Sequence, residues 1–78
     1  MSAEEIYAAM FEGEQKRVSL VDAEGDEYTG FVDVFESRYD NEDDEPPFSG
    51  QGSICFFPDD APPMLLYESV IKSIKVLE

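Results

Sequence analysis

The feature that most constrains the fold is a change of hydrophobic period after Gly13. Before Gly13, the apolar residues Ile6, Ala9 and Met10 recur at helical spacing. After it come short apolar segments separated by Gly, Pro and acidic residues, a pattern typical of strands and turns. Five such segments follow one helical segment within 78 residues. The sequence therefore predicts a single, mainly β domain over residues 1–78.

The helical segment is predicted to cover about residues 3–11. Ser2 can accept a hydrogen bond from the first turn, and Glu5 stands three residues later, which is the spacing of a capping box. Glu4 and Glu5 also suit the positive end of the helix dipole. Gly13 is the predicted stop. A helix this short does not persist alone, so we expect it to pack against the strands.

The strand segments are KRVSLVD, EYTGFVDVF, SICFF, MLLYE and IKSIKVLE. The turn AEGD joins the first two, with Gly25 free to adopt a positive φ. The second segment carries apolar residues on both faces, with Tyr28, Val32 and Val34 on one side and Phe31 and Phe35 on the other. This pattern predicts a long, bent strand, and Gly30, lacking a Cβ, is the predicted bend.

Residues 40–52 form the least regular part of the chain and are predicted to be an acidic loop. The loop contains five acids, two prolines and two glycines. No Lys or Arg occurs between Arg38 and Lys72. Because barrel closure removes exposed strand edges, five short antiparallel strands around such a loop favour a small, strongly bent barrel with a short N-terminal helix.

The strand pattern resembles the Sm-like (LSm) family of small β-barrels, which have an N-terminal helix followed by five strongly bent strands. The first family motif is matched by Val18, Leu20, Gly25, Tyr28, Gly30, Val32, Phe35 and Glu36. The second is resembled by LLYESVIKSI, with Leu66, Ile71 and Ile74 in register. Together the two motifs cover about half of the chain. An unrelated SH3-like barrel is the alternative fold.

This chain lacks two of the three features that form the uridine-binding pocket of the family. Tyr39 falls where a base would stack, but Asp40 stands at the family's Asn position, with Asn41 next to it. Tyr67 and Glu68 replace the family's Arg-Gly pair. Stacking can contribute about 1–3 kcal/mol per base. Two added carboxylates oppose it, so the resemblance implies the fold more than the activity.

The net charge of −14 also argues against RNA binding. A balance this acidic repels phosphate backbones and anionic membranes, and it destabilises the compact state through self-repulsion. Nucleic acid is therefore an unfavoured partner, and a basic protein is the favoured one.

The sequence gives little support for catalysis or for metal binding. There is no His, and the only cysteine, Cys55, stands in an apolar run without an imidazole partner. Asp40, Glu42 and Asp44 alternate as calcium ligands do, but the loop lacks the EF-hand glycine and two prolines follow. We therefore expect no enzyme activity, no cofactor and no metal.

Three aromatic residues, Tyr39, Phe48 and Tyr67, stand at loop or strand-end positions, where they either cover the barrel ends or anchor a partner. The first of these interpretations is favoured. The candidate partner contacts are Tyr39, Asp40, Asn41, Phe48, Tyr67 and Glu68.

The sequence thus leads to two functional hypotheses. The first is a non-catalytic, monomeric protein-interaction module that binds a basic partner through its acidic surface. The alternative is an RNA-binding Sm-like ring, in which the fourth strand of one subunit pairs with the fifth of the next. A lone cysteine, no secretory signal and no apolar run of about 20 residues lead us to expect a cytoplasmic protein without a membrane span.

Overall fold

The computed structural model describes all residues, 1–78, and contains one α-helix, five strands and one 3₁₀ turn. In chain order the elements are α1 (Ala3–Glu12), β1 (Arg17–Asp22), β2 (Glu27–Glu36), β3 (Ser53–Pro58), β4 (Met64–Tyr67), the 3₁₀ turn η1 (Glu68–Val70) and β5 (Ile71–Val76). The predicted helix and the five predicted strands are all present. The chain is therefore mainly β, with one short N-terminal helix.

Both ends of α1 follow the local sequence signals. The backbone amide of Glu5 donates to Ser2 Oγ at 3.1 Å, and the amide of Ser2 donates to Glu5 Oε1 at 2.8 Å, so the capping box is confirmed. Gly13 caps the other end with an ordinary φ of −81°. Glycine is needed there for space, because a Cβ would stand 2.9 Å from Val18 Cγ1.

The strands form one antiparallel sheet in the order β4-β3-β2-β1-β5. The expected barrel closure is not found, because edge strands β4 and β5 do not pair with each other. The 3₁₀ turn η1 joins β4 directly to β5, and the carbonyl of Val70 in this turn accepts a hydrogen bond of 2.9 Å from the amide of Ala23. β4 has only four residues, so the edge that it presents is short.

The predicted alternation along β2 holds only as far as Val32. Val32 is fully buried, but Val34, expected on the same face, is 43% exposed. The register with β3 shifts between Val32 and Phe35, and this irregularity turns Phe35 towards the helix, where its ring meets that of Phe11 at 5.6 Å. A bulge of this kind inserts an extra residue and so changes the face that each later side chain occupies.

Gly30 has a different role from the predicted bend. It pairs with Pro58, and a Cβ at this position would overlap the main-chain carbonyl of Phe57. The residue therefore permits β2 and β3 to approach closely, while the irregularity itself lies further along β2.

The concave face of the sheet and one face of α1 enclose the core. The buried hydrophobic residues come from α1 and from four strands, β1, β2, β3 and β5. They are Ile6, Met10, Val18, Leu20, Val32, Ile54, Phe56, Ile71 and Ile74. The sheet is therefore curved around a shared interior. The structure has no helix with the length and apolar character needed to cross a membrane.

Candidate functional site: the acidic loop and the Arg38 cluster

The six candidate contact residues lie in the loop between β2 and β3, at the end of β4, or at the start of η1. The loop opens with a reciprocal pair of hydrogen bonds: the amide of Ser37 donates to Asp40 Oδ2 at 3.0 Å, and the amide of Asp40 donates to Ser37 Oγ at 3.1 Å. Tyr39, between them, is 78% exposed. Tyr39 and Asp40 are thus presented to solvent on a hydrogen-bonded turn.

Asn41 lies inside the protein rather than on its surface. It is only 4% exposed, and its side-chain amide donates to the carbonyl of Gln51 at 2.8 Å and to Ser53 Oγ at 3.0 Å. Its own carbonyl accepts from the amide of Gly50 at 2.9 Å. Asn41 therefore closes the acidic loop on itself, and the prediction of a partner contact at this residue does not fit its burial.

Phe48 and Tyr67 fasten the loop to the sheet. Their rings stack at a centroid distance of 4.5 Å with an interplanar angle of 13°. The Tyr67 hydroxyl donates to Asp44 Oδ2 at 3.0 Å. This hydrogen bond, partial burial and the nearby carboxylates of Asp44 and Glu36 raise the pKa of Tyr67. Phe48 and Tyr67 therefore pack against each other and their own chain, whereas Tyr39 covers nothing and is exposed.

Glu68 is buried, with 7% of its surface exposed, and binds Arg38. Its Oε1 accepts from Arg38 Nε at 2.9 Å, and its Oε2 accepts from Arg38 Nη2 at 2.7 Å. The amide of Gly52 adds a third hydrogen bond to Oε1, at 2.8 Å. Because its charge is compensated, Glu68 is neither a free contact nor the source of phosphate repulsion that the sequence predicted.

Arg38 also joins the helix to this cluster. Its Nη1 lies 2.9 Å from Glu4 Oε1, and its guanidinium carbon stands 4.2 Å from the ring centroid of Tyr7. The Tyr7 hydroxyl in turn accepts a hydrogen bond of 3.1 Å from the amide of Arg38. We call these four residues, Glu4, Tyr7, Arg38 and Glu68, the Arg38 cluster.

The electrostatics of the cluster follow from its hydrogen bonds. The Arg38 guanidinium holds the pKa of Glu68 below its usual value, and the Gly52 amide adds to this effect against the opposing effect of burial. The hydrogen bonds of Glu68 and Glu4 raise the pKa of Arg38. Both groups of the ion pair therefore stay charged at neutral pH.

Charge is divided unevenly across the sheet. Arg17 is held by Asp59 in a forked pair at 3.2 and 2.6 Å. Lys72 and Lys75 lie on edge strand β5, whereas no Lys or Arg lies in residues 39–71, which include β3 and β4. The side of the molecule formed by β3, β4 and the acidic loop is therefore acidic.

Two other features are weaker candidates. A shallow depression of about 560 Å³ borders Arg38 and Glu68, but these side chains already bind each other. Asp22, Glu24 and Asp26 bring carboxylate oxygens within 4.8 Å of one another in the β1–β2 turn. Asp22 Oδ1 accepts the amides of Glu24 and Asp26 at 3.0 and 2.9 Å, so the turn itself explains this arrangement.

Sequence reasoning missed Arg38, which organises this region. The one available signal was its isolation, because it is the only cation between Arg17 and Lys72 in an otherwise acidic stretch. Nothing local identified Glu68, thirty residues away, as its partner.

Comparison with known proteins gives no assignment. No protein-family model, no curated protein and no solved structure matches this chain.

Proposed function

We propose that this chain is a non-catalytic protein-interaction module whose acidic side binds a basic protein. One observation carries the proposal: residues 39–71 contain no Lys or Arg, and both arginines of the chain are paired internally. The acids of that side are therefore not neutralised by cations of their own segment. A basic surface would supply the missing counter-charge.

The fixed shape of the acidic loop supports this function. Asn41 closes the loop and Tyr67 holds it against β4, while Glu42, Asp43 and Glu45 remain exposed. None of these three carboxylates makes a hydrogen bond or salt bridge within the chain. A loop that is ordered before binding loses less conformational entropy on association, and its concentrated charge accelerates encounter with a basic partner.

We further propose that the fold is a divergent Sm-like one, with an SH3-like barrel as the alternative. The order of elements supports it, since a short helix precedes five antiparallel strands and the long β2 carries an irregularity beyond Val32. An unpaired edge at each side of the sheet also suits this family, whose subunits associate through their fourth and fifth strands.

The interaction is tested by affinity capture from a native lysate at low and high salt, with identification by mass spectrometry. The test variant combines Glu42→Gln, Asp43→Asn and Glu45→Gln; the control combines Glu12→Gln, Glu24→Gln and Glu27→Gln, which removes the same charge elsewhere. We expect the wild type and the control to retain a basic protein that high salt releases. The loop variant should bind it about tenfold more weakly, since exposed pairs contribute about 0.2–1 kcal/mol each.

Capture that is indifferent to salt, or that yields no basic protein, would refute the proposal. Equal losses for both triple variants would show that only net charge matters and that the loop has no special role.

A second candidate, an RNA-binding Sm-like ring, is favoured by the two free edge strands. It is opposed at the residues that would form the pocket, because Asn41 is occupied inside the loop and Tyr67 is stacked on Phe48. Light scattering on a sizing column and titration with oligouridine at low salt distinguish the two. A ring of about six or seven subunits that binds oligouridine would establish this candidate, whereas a monomer that leaves it unbound would eliminate it.

A further inference from the structure

The outer face of the sheet carries an apolar surface that the core does not use. Phe31 stands directly opposite Phe57, and Cys55 stands directly opposite Leu65. Residues opposite each other in antiparallel strands share a face, as do alternate residues along one strand. Phe56, which separates Cys55 from Phe57, is fully buried, so its neighbours point outwards. We call these four residues, Phe31, Cys55, Phe57 and Leu65, the outer apolar patch.

This patch is accessible to a partner. Leu65 is 55% exposed and Phe57 is 42% exposed, and Phe31 and Cys55 are half-buried beside them. The acidic loop covers the same face only further along, where Tyr67 stands opposite Ser53. A contiguous group of exposed apolar side chains on a small protein is a common mark of an interaction site.

Carboxylates border the patch at both ends. Towards the acidic loop, Glu36 pairs with Ser53 on the outer face, and Asp44 holds the Tyr67 hydroxyl. At the other end, Asp59 and Asp60 follow directly after β3. Arg17 stands opposite Phe31 at this end and binds Asp59, so Asp60 is the carboxylate left unpaired there. The surface is thus an apolar centre within an acidic border.

We propose, on the basis of the function proposed above, that the outer apolar patch is the docking site for an apolar side chain flanked by Lys and Arg on the basic partner. The apolar centre would bury the anchor, and the unpaired carboxylates of Glu36 and Asp60 would receive the flanking cations. Charge complementarity decides the occupant. A second copy of this chain would bring two acidic borders together, each on a molecule of net charge −14.

The test uses the full chain and two synthetic peptides. One is a nine-residue, Lys- and Arg-rich peptide with a single central Phe, and the other has Ser in place of that Phe. Binding is followed by NMR chemical-shift titration at low salt and by the alkylation rate of Cys55, the only thiol and a member of the patch. Variants Phe57→Ser and Leu65→Ser remove exposed patch side chains, while Leu77→Ser removes a similarly exposed leucine elsewhere.

We expect the Phe peptide to bind the wild type about tenfold more tightly than the Ser peptide, as burial of one aromatic side chain allows. It should also slow the alkylation of Cys55. Phe57→Ser and Leu65→Ser should each reduce the preference for the Phe peptide to within about twofold, and Leu77→Ser should leave it unchanged. Because alkylation is measured on the wild type, this readout does not depend on how any variant folds.

Other results overturn the proposal in different ways. Equal, salt-sensitive binding of both peptides without protection of Cys55 would refute the docking site and leave the acidic interaction function intact. Failure of both peptides to bind at low salt would refute both. Self-association of the chain that Phe57→Ser abolishes would identify a second copy as the occupant and refute the proposed partner.

Discussion

The Arg38–Glu68 pair and its neighbours connect the helix, the loop and the 3₁₀ turn. Glu68 begins η1, Arg38 follows β2, and Glu4 and Tyr7 belong to α1. Glu68 is buried, so loss of its partner would leave an uncompensated charge in the interior. The pair therefore ties the helix and the loop to the sheet, whereas the exposed Arg17–Asp59 pair contributes less.

Replacement of Glu68 by Gln tests how much the pair contributes to stability. We expect Glu68→Gln to lower the free energy of unfolding by about 2 kcal/mol at pH 7, the magnitude of a charge-assisted hydrogen bond. The pKa of Glu68 is lowered from an ordinary value of 4.5, so its contribution is complete above that pH and is lost as the pH falls through the folded-state pKa. Urea unfolding of both proteins at several pH values measures the difference.

The difference between wild type and Glu68→Gln should therefore shrink on acidification well below pH 4.5. Asp59→Asn, which breaks the exposed pair, is the matched control and should have a smaller effect at pH 7. A difference that does not change with pH would contradict the assignment of stability to the charged pair.

At the scale of elements, the acidic loop is a folded unit attached to the sheet. Asn41 closes the loop near both of its ends, and the Phe48–Tyr67 stack with the Tyr67–Asp44 hydrogen bond holds its middle against β4. The prolines and acids predicted a loop correctly, but they did not predict that it covers part of the outer face.

Tyr67→Phe measures the contribution of the hydroxyl to holding the loop, because only the hydroxyl is removed and the ring stays stacked on Phe48. We expect amides of residues 42–50 to exchange hydrogen about three to ten times faster, as the loss of one hydrogen bond allows, with β1 and β5 unchanged. Tyr39→Phe removes the same group from an exposed residue and should have no effect. Hydrogen exchange read by NMR makes the comparison, and unchanged exchange in Tyr67→Phe would show that stacking alone holds the loop.

At the scale of the whole molecule, the net charge of −14 lies on a chain with a core of nine buried hydrophobic residues. Small domains have a low free energy of unfolding, so electrostatic self-repulsion removes a substantial fraction of it. Screening by salt acts on all the exposed carboxylates together.

We therefore expect Tm to rise as NaCl is increased from low ionic strength to about 0.5 M, by about 4–8 °C for each kcal/mol of relieved repulsion. The triple variant Glu42→Gln, Asp43→Asn and Glu45→Gln should show a smaller rise, since it carries less repulsion. Differential scanning calorimetry gives both values, and a Tm that stays constant or falls with salt would contradict the expectation.

The local sequence was sufficient to predict the helix, the five strands and the turn between the first two strands. The capping box at Ser2 and Glu5, the stop at Gly13 and the positive φ of Gly25 were all predicted and are confirmed. These features depend on hydrogen bonds, sterics and periodicity within a few residues, so the local sequence contains all the information they need.

Several side chains, by contrast, owe their burial or their partner to contacts between distant parts of the chain. Arg38 meets Glu68 across thirty positions, Asn41 enters the interior, and the irregularity after Val32 exposes Val34. The same holds for the open edges of the sheet, because β4 and β5 do not pair with each other. Each outcome is set by how distant strands register, and a shift of one residue in that register exchanges the two faces of a strand.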